Sequence, residues 1–138
     1  MTKGIWLNLP VKDVKKSKDF FTQIGFSFNA QYTDGADSLA LQIGTKPDIV
    51  MLFEENRLRE FIQHPLTDTK QSSEIIISFD AESREEVDGI AEKVRAAGGN
   101  IFSEPAEIQG WMYGFAFTDL DGHRWNALYM DMAKMKGQ

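Results

Sequence analysis

Residues 114–130 read GFAFTDLDGHRWNALYM. Apolar residues run up to Asp119, Leu120-Asp121-Gly122 supplies a turn signal, and residues 125–130 are mostly apolar again. Asp-Gly between two such runs specifies a β-hairpin, because glycine accepts the positive φ that the turn requires. The second strand carries one polar residue, Asn126, between Trp125 and Ala127. A lone polar side chain inside an apolar strand marks the place to look for chemistry.

Working outward, residues 101–102 read as a further strand and residues 105–110 as a loop leading into the hairpin. Before them, Ile75, Ile77 and Phe79 alternate with Glu74, Ile76 and Ser78, the period-two pattern of a strand. Ser83 and Glu86 form a capping box. The helix it opens has Val87, Ile90, Val94 and Ala97 on one stripe and ends at Gly98-Gly99. This half of the chain therefore runs β-α-β-β-β.

The amino-terminal half has the same order. Ile5, Leu7, Leu9 and Val11 alternate with Trp6, Asn8 and Pro10, giving a strand with one apolar face. Asp13 caps a helix striped by Val14, Phe21 and Ile24 and closed by Gly25. Residues 26–32 read as a second strand closed by Thr33-Asp34-Gly35. Leu39, Leu41 and Ile43 mark a third strand, and residues 49–53 a fourth. Residues 54–73 interrupt the pattern with a polar segment. Leu58, Phe61 and Ile62 sit there at helical spacing ahead of His64-Pro65, which predicts a short helix and a loop, either a locally packed linker or a lid.

The expected organisation is one α+β domain of two βαβββ modules: module 1 over residues 1–54, an insertion over 55–73, module 2 over 74–131 and a fraying tail over 132–138. Neither half can bury both its helix and its sheet face alone, so the copies are expected to share a surface.

Composition narrows the function classes. With 42% hydrophobic residues, including 10 Phe, 3 Trp and 6 Met, the chain can fill a core. A net charge of -6 argues against nucleic acid, whose phosphates demand a basic face. The absence of cysteine excludes disulfides, thiolate metal sites and a Cys nucleophile, and fits a reducing compartment. No segment approaches the length of a membrane span, and no leader is recognisable, so a soluble cytoplasmic protein is expected.

Three stretches, LPVKDVKKSKDFFTQIGF, AAGGNIF and FTDLDGHRWNALYMD, together resemble the vicinal oxygen chelate superfamily, the fold of glyoxalase I, bleomycin-resistance proteins and extradiol dioxygenases. The resemblance covers nearly all of the chain outside the insertion. It implies two βαβββ modules curled into half-barrel clefts, often completed in a homodimer. Members that do chemistry hold a divalent metal there, with His, Gln or Glu ligands from the first and last strands of each module.

The positions implied by that resemblance carry few ligands. The first falls on Trp6, with Asn8 as its same-face neighbour. The fourth strand offers Met51 and Phe53, the fifth Ile76 or Glu74, and the closing Glu of the family is here Asn126. One carboxylate and two neutral amides offset little of a divalent ion's dehydration cost. No resident metal or other cofactor is expected.

What remains is a cleft expected to be lined by Trp6, Met51, Phe53, Trp111, Tyr113 and Phe115, with Asn8, Glu74 and Asn126 as polar contacts. Aromatics on alternate strand positions are first of all core residues, and Trp6 is the exception because it faces away from its strand's apolar stripe. His123 reads as a turn-surface residue and His64 as a loop residue. The leading functional expectation is binding of a small organic molecule without a metal, in a homodimer. The alternative is a glyoxalase-like lyase or isomerase with Glu74 as general base and a degenerate divalent-metal site, a metal or bound water being held by Asn8 and Asn126.

Overall fold

Strand and helix order in the computed structural model repeats once along the chain. It describes residues 1–138 except 32, 34, 35, 47, 137 and 138. In the first half, β1 (Leu7–Val11), α1 (Val14–Gln23), β2 (Ser27–Phe28), β3 (Ser38–Ile43) and β4 (Asp48–Glu54) are followed by α2 (Glu55–Ile62). In the second, β5 (Ile76–Asp80), α3 (Arg84–Ala97), β6 (Asn100–Ile108), β7 (Met112–Thr118) and β8 (Arg124–Met130) are followed by α4 (Met132–Lys136). The chain divides into two units, residues 1–68 and 69–138. Each holds one four-stranded sheet, ordered β1-β4-β3-β2 and β5-β8-β7-β6. The first strand of each sheet runs parallel to the last, and the remaining pairs are antiparallel. The doubled β-α-β-β-β pattern is thus a doubled topology.

In the first unit, Asp13 caps α1 by accepting from the Lys16 N–H at 3.1 Å. Val14, Ser17, Phe20 and Phe21 of that helix are buried, together with Leu9, Val11, Leu39, Leu41, Val50 and Leu52 from the sheet. The edge-on Phe20–Phe21 pair, 5.0 Å between centroids, lies in this core. In the second unit Ser83 accepts from the Glu86 N–H at 3.0 Å to open α3. Val87, Ala91 and Val94 pack with Phe115, Phe117, Trp125 and Ala127. Phe117 stacks on both Phe115 and Trp125, at 5.4 and 6.4 Å.

The expected hairpin forms as β7 and β8, but its turn is held by a residue the turn signal does not name. Asp119 is 6% exposed. One carboxylate oxygen accepts from the backbone N–H groups of Asp121 and His123, at 2.9 and 3.0 Å, and the other from the Trp125 indole N–H at 3.0 Å. Burial pushes its carboxyl above the usual carboxylate range, against the opposing pull of the His123 charge and these donors. Gly122 turns the chain at φ 84°, where a Cβ would also lie 2.5 Å from the Thr69 hydroxyl oxygen. That hydroxyl donates to the Asp121 carbonyl at 2.6 Å, tying the end of the insertion to the closing turn.

Five sequence expectations are corrected. The first strand starts at Leu7, not Ile5, and Ile5 and Leu7 are 90% and 40% exposed, so no core reaches that end of the stripe. The strand expected over 26–32 is only Ser27–Phe28, because the Asn29 side chain accepts from the Gln31 N–H at 2.9 Å and turns the backbone. Tyr32, Asp34 and Gly35 lie outside the described residues. The loop expected over 105–110 is mostly strand. β6 is an edge strand with register shifts between Ile101 and Ala106, where Pro105 and its missing donor are tolerated. Of the tail, Met132–Lys136 form the helix α4 where no element was expected, started by the Asp131 carboxylate accepting from the Lys134 N–H at 3.3 Å. Lastly, Tyr113 and Phe115 leave the expected cleft lining, as described below. The insertion does form a short helix and a loop. Among the described residues no helix is long and apolar enough to cross a membrane.

Candidate functional site

Each sheet has a face against its helix and a far face, and strand alternation assigns every side chain to one of them. In the second sheet Phe115, Phe117, Trp125 and Ala127 face α3. Tyr113 belongs to the same set. Its hydroxyl donates to Asp88 of α3 at 2.7 Å, and the Arg84 guanidinium of that helix lies 4.9 Å above its ring. The Asp88 hydrogen bond holds the phenol above its usual pKa. Tyr113 and Phe115 therefore pack against α3, opposite to Asn126. Period-two parity in the sequence already separates 113 and 115 from 126 once the register of β7 on β8 is known. That register pairs Ala116 with Asn126, and the sequence alone does not give it.

On the far face Asn126 lies beside Ser78 of β5 and Ala116 of β7. The Ser78 hydroxyl donates to Asn126 Oδ1 at 2.5 Å, leaving the amide N–H donors for another acceptor. Ser78 escaped the sequence reading, although it shares parity with Ile76 and Glu74. Of the three, Ser78 is the residue directly beside Asn126, and Glu74 lies four residues earlier, exposed ahead of β5. Glu74 is not buried among aromatics, as a general base tuned by desolvation would need to be. Arg124 shares the face with Asn126, and its guanidinium lies 4.3 Å from the ring centroid of Phe102 on β6. On β7, Ala116 is aligned with Asn126, Thr118 with Arg124, and Gly114 with Leu128. Gly114 has to be glycine, since a Cβ would lie 2.5 Å from the Ala127 carbonyl oxygen and 2.6 Å from the Leu128 side chain.

The far face of the first sheet carries Asn8 beside Met51, and Phe53 between Pro10 and Ser38. These three predicted residues are brought onto one face. Asn8 is exposed and Met51 half-buried, but Phe53 is only 9% exposed. Phe61 of α2 packs edge-on to it at 5.3 Å, with the Arg57 guanidinium 5.2 Å above its ring. The insertion helix thus covers the Phe53 end of that face. Trp6 precedes β1 and is 63% exposed. Trp111 lies in the β6–β7 turn, half-buried, its carbonyl accepting from the Asp131 N–H at 2.8 Å. His64 is exposed and His123 is half-buried in the closing turn.

The far faces supply poor ligands for a divalent ion. The first offers a neutral amide and a thioether. The second offers a hydroxyl and an amide whose oxygen already accepts a hydrogen bond. Among the described residues no group of three or more His, Asp or Glu is gathered to hold a metal. Hard and borderline cations need carboxylate or imidazole donors, so this donor set does not fit the metal implied by the resemblance.

The model of the Glyoxalase/Bleomycin resistance protein/Dioxygenase superfamily matches residues 5–127. The chain belongs to this superfamily. Among solved structures it is similar to hypothetical protein SA1046 from S. aureus, with 36% identity and a TM-score of 0.83 over 94% of this chain and 95% of that one. A glyoxalase/bleomycin resistance protein/dioxygenase family enzyme from Burkholderia phytofirmans PsJN shares the fold at 17% identity and a TM-score of 0.76, over 91% and 96% of the two chains. So does the fosfomycin resistance protein FosX from Listeria monocytogenes, at 21% identity and a TM-score of 0.70, over 97% and 98%. No curated protein matches the chain. Membership accounts for the doubled topology; the activity has to be argued from the residues on the far faces.

Proposed function

We propose that this superfamily member binds a small organic molecule on the far face of its second sheet, without a resident metal ion. One observation carries the reading. Asn126 stands where the superfamily resemblance leads one to expect a metal-binding Glu, and it is paired through its oxygen to Ser78, with its amide donors left over. Such a group orients a ligand by hydrogen bonding, with the small residue Ala116 as its cross-strand neighbour on β7. Within the first unit, Asn8, Met51 and Trp6 stay candidate contacts for a ligand of that unit alone. The resemblance to the bleomycin-resistance branch, whose name the superfamily carries, supports this reading.

The same reading includes a homodimer. β1 and β5 are edge strands, and Ile5, Trp6, Ile75 and Ile76 at their starts are 90%, 63%, 47% and 47% exposed, apolar area suited to a second copy. Light scattering on the purified protein checks this, and a monomer at micromolar concentration removes it.

The binding reading is tested by a ligand screen on intrinsic Trp fluorescence, run with and without EDTA. Saturable quenching that EDTA does not alter is the expected result. Turnover of a thiohemiacetal that requires Ni or Zn and disappears in Glu74→Gln would replace binding by lyase or isomerase chemistry.

A further inference from the structure

Resting on the binding reading above, we infer that the ligand of the second sheet's far face is an anion with a flat apolar body, its acidic group held by Arg124 above Phe102. The second unit contains two arginines lying over aromatic rings, one on each side of the same sheet. On the helix side Arg84 lies over Tyr113 and is neutralised by an ion pair with Glu107. On the far side Arg124 lies over Phe102, and among the described residues it makes no ion pair. Arg95, the remaining arginine of α3, is likewise paired, with Glu104 and Glu92. The fold therefore supplies carboxylates to the guanidiniums of α3 and none to the one on the candidate face.

A guanidinium held over a ring keeps N–H donors along its edge, and such an edge can grip a carboxylate in a bidentate manner. Arg124 and Asn126 are two residues apart on β8, so their Cα atoms are about 7 Å apart on one face. The Asn126 oxygen is taken by Ser78, so the groups offered nearby are again N–H donors. Donors at both points, with Ala116 between Asn126 and β6, suit a ligand with an acidic group at one end and a neutral acceptor toward Asn126. The nearest acidic residues of β5 and its approach are Asp80, aligned with Leu128 at the other end of the strand, and Glu74, exposed ahead of it. A chain of net charge -6 does not attract anions in general, which makes a local preference for one readable.

The test uses two probes of the same shape, 1-naphthoate and neutral 1-naphthamide, titrated into the full chain and followed by ¹H–¹⁵N NMR, with the Asn126 side-chain amide as the site marker. Wild type is expected to bind naphthoate about tenfold more tightly than naphthamide, as a charge-assisted pair supplies. Arg124→Gln should erase that preference and change naphthamide affinity less than about twofold, while Arg124→Lys keeps part of it. Raising NaCl should weaken naphthoate alone. Equal affinities in wild type, or an Arg124→Gln effect shared by both probes, would overturn the inference, as would naphthoate shifts confined to other parts of the chain. Naphthamide binding at Asn126 without naphthoate preference overturns the anion and leaves the binding reading standing. No binding of either probe overturns both. Should Arg124→Gln lose its dispersed spectrum, Arg124→Lys and the salt titration decide the matter.

Discussion

The two modules share one topology and differ in what they place on the face away from the helix. In the first, that face carries Met51 and Phe53, and α2 seals the Phe53 end with Phe61 and Arg57. In the second it carries Ser78, Asn126 and Arg124, with the small residue Ala116 aligned with Asn126. The helix sides, by contrast, are built alike, with buried aliphatic and aromatic residues from sheet and helix. The repeat therefore preserves the scaffold and leaves the far faces to diverge, one toward packing and one toward hydrogen bonding.

That contrast can be broken or sharpened by substitution. The largest effect should come from the shared scaffold. Phe117→Ala removes a fully buried ring stacked on two others and should cost about 3–5 kcal/mol in urea unfolding, with Leu52→Ala in the first module costing about 2–5 kcal/mol. A near-neutral result for either would mean that the two helix sides are not equivalent. Next in size is the closing turn. Asp119→Ala leaves the Trp125 indole and two backbone N–H groups without their acceptor, and should destabilise by about 2 kcal/mol or more.

A smaller effect is expected where α2 seals the first far face. Phe61→Ala should cost about 1 kcal/mol, since the ring is 58% exposed and its gain is the edge-on contact with Phe53. A stability change with no change in ligand affinity would keep the two far faces functionally distinct; a matched loss of affinity would merge them. The smallest effect is a pH dependence. Because burial raises the folded-state pKa of Asp119, the folded chain holds that proton more tightly than the unfolded chain. Its contribution to stability should therefore fall as pH rises from about 4, the unfolded carboxylate value, to the raised folded value, and stay level above it. Asp119→Asn should lack this component. Comparing denaturation midpoints of the two proteins across that range checks the sign, and a wild-type advantage that instead grows with pH would reverse it.

Much of the scaffold was legible because period-two alternation, the Asp13 and Ser83 caps and the Asp-Gly turn are local signals that agree with the tertiary structure. What escaped was non-local. The register of β5 on β8, which puts Ser78 rather than Glu74 beside Asn126, depends on a parallel pairing across 48 residues. The assignment of Tyr113 and Phe115 to the helix side depends on the register of β7. The burial of Asp119 depends on Trp125 folding back over the turn, and strand β6 persists through Pro105 because an edge strand can omit a donor. Asn126 itself was legible as the lone polar residue of its strand, whereas its neighbours on the face were not.

The account turns on Asn126 orienting a ligand without a metal. The measurement that bears on it most directly is the affinity of a ligand from the fluorescence screen, determined in EDTA for wild type and for Asn126→Ala, with the variant's folded spectrum confirmed. The account predicts tight saturable binding by wild type and a loss of about tenfold in the variant, the value of one hydrogen bond to a polar ligand group. Equal affinities in the two proteins, or binding that appears only when a divalent ion is restored, would contradict it.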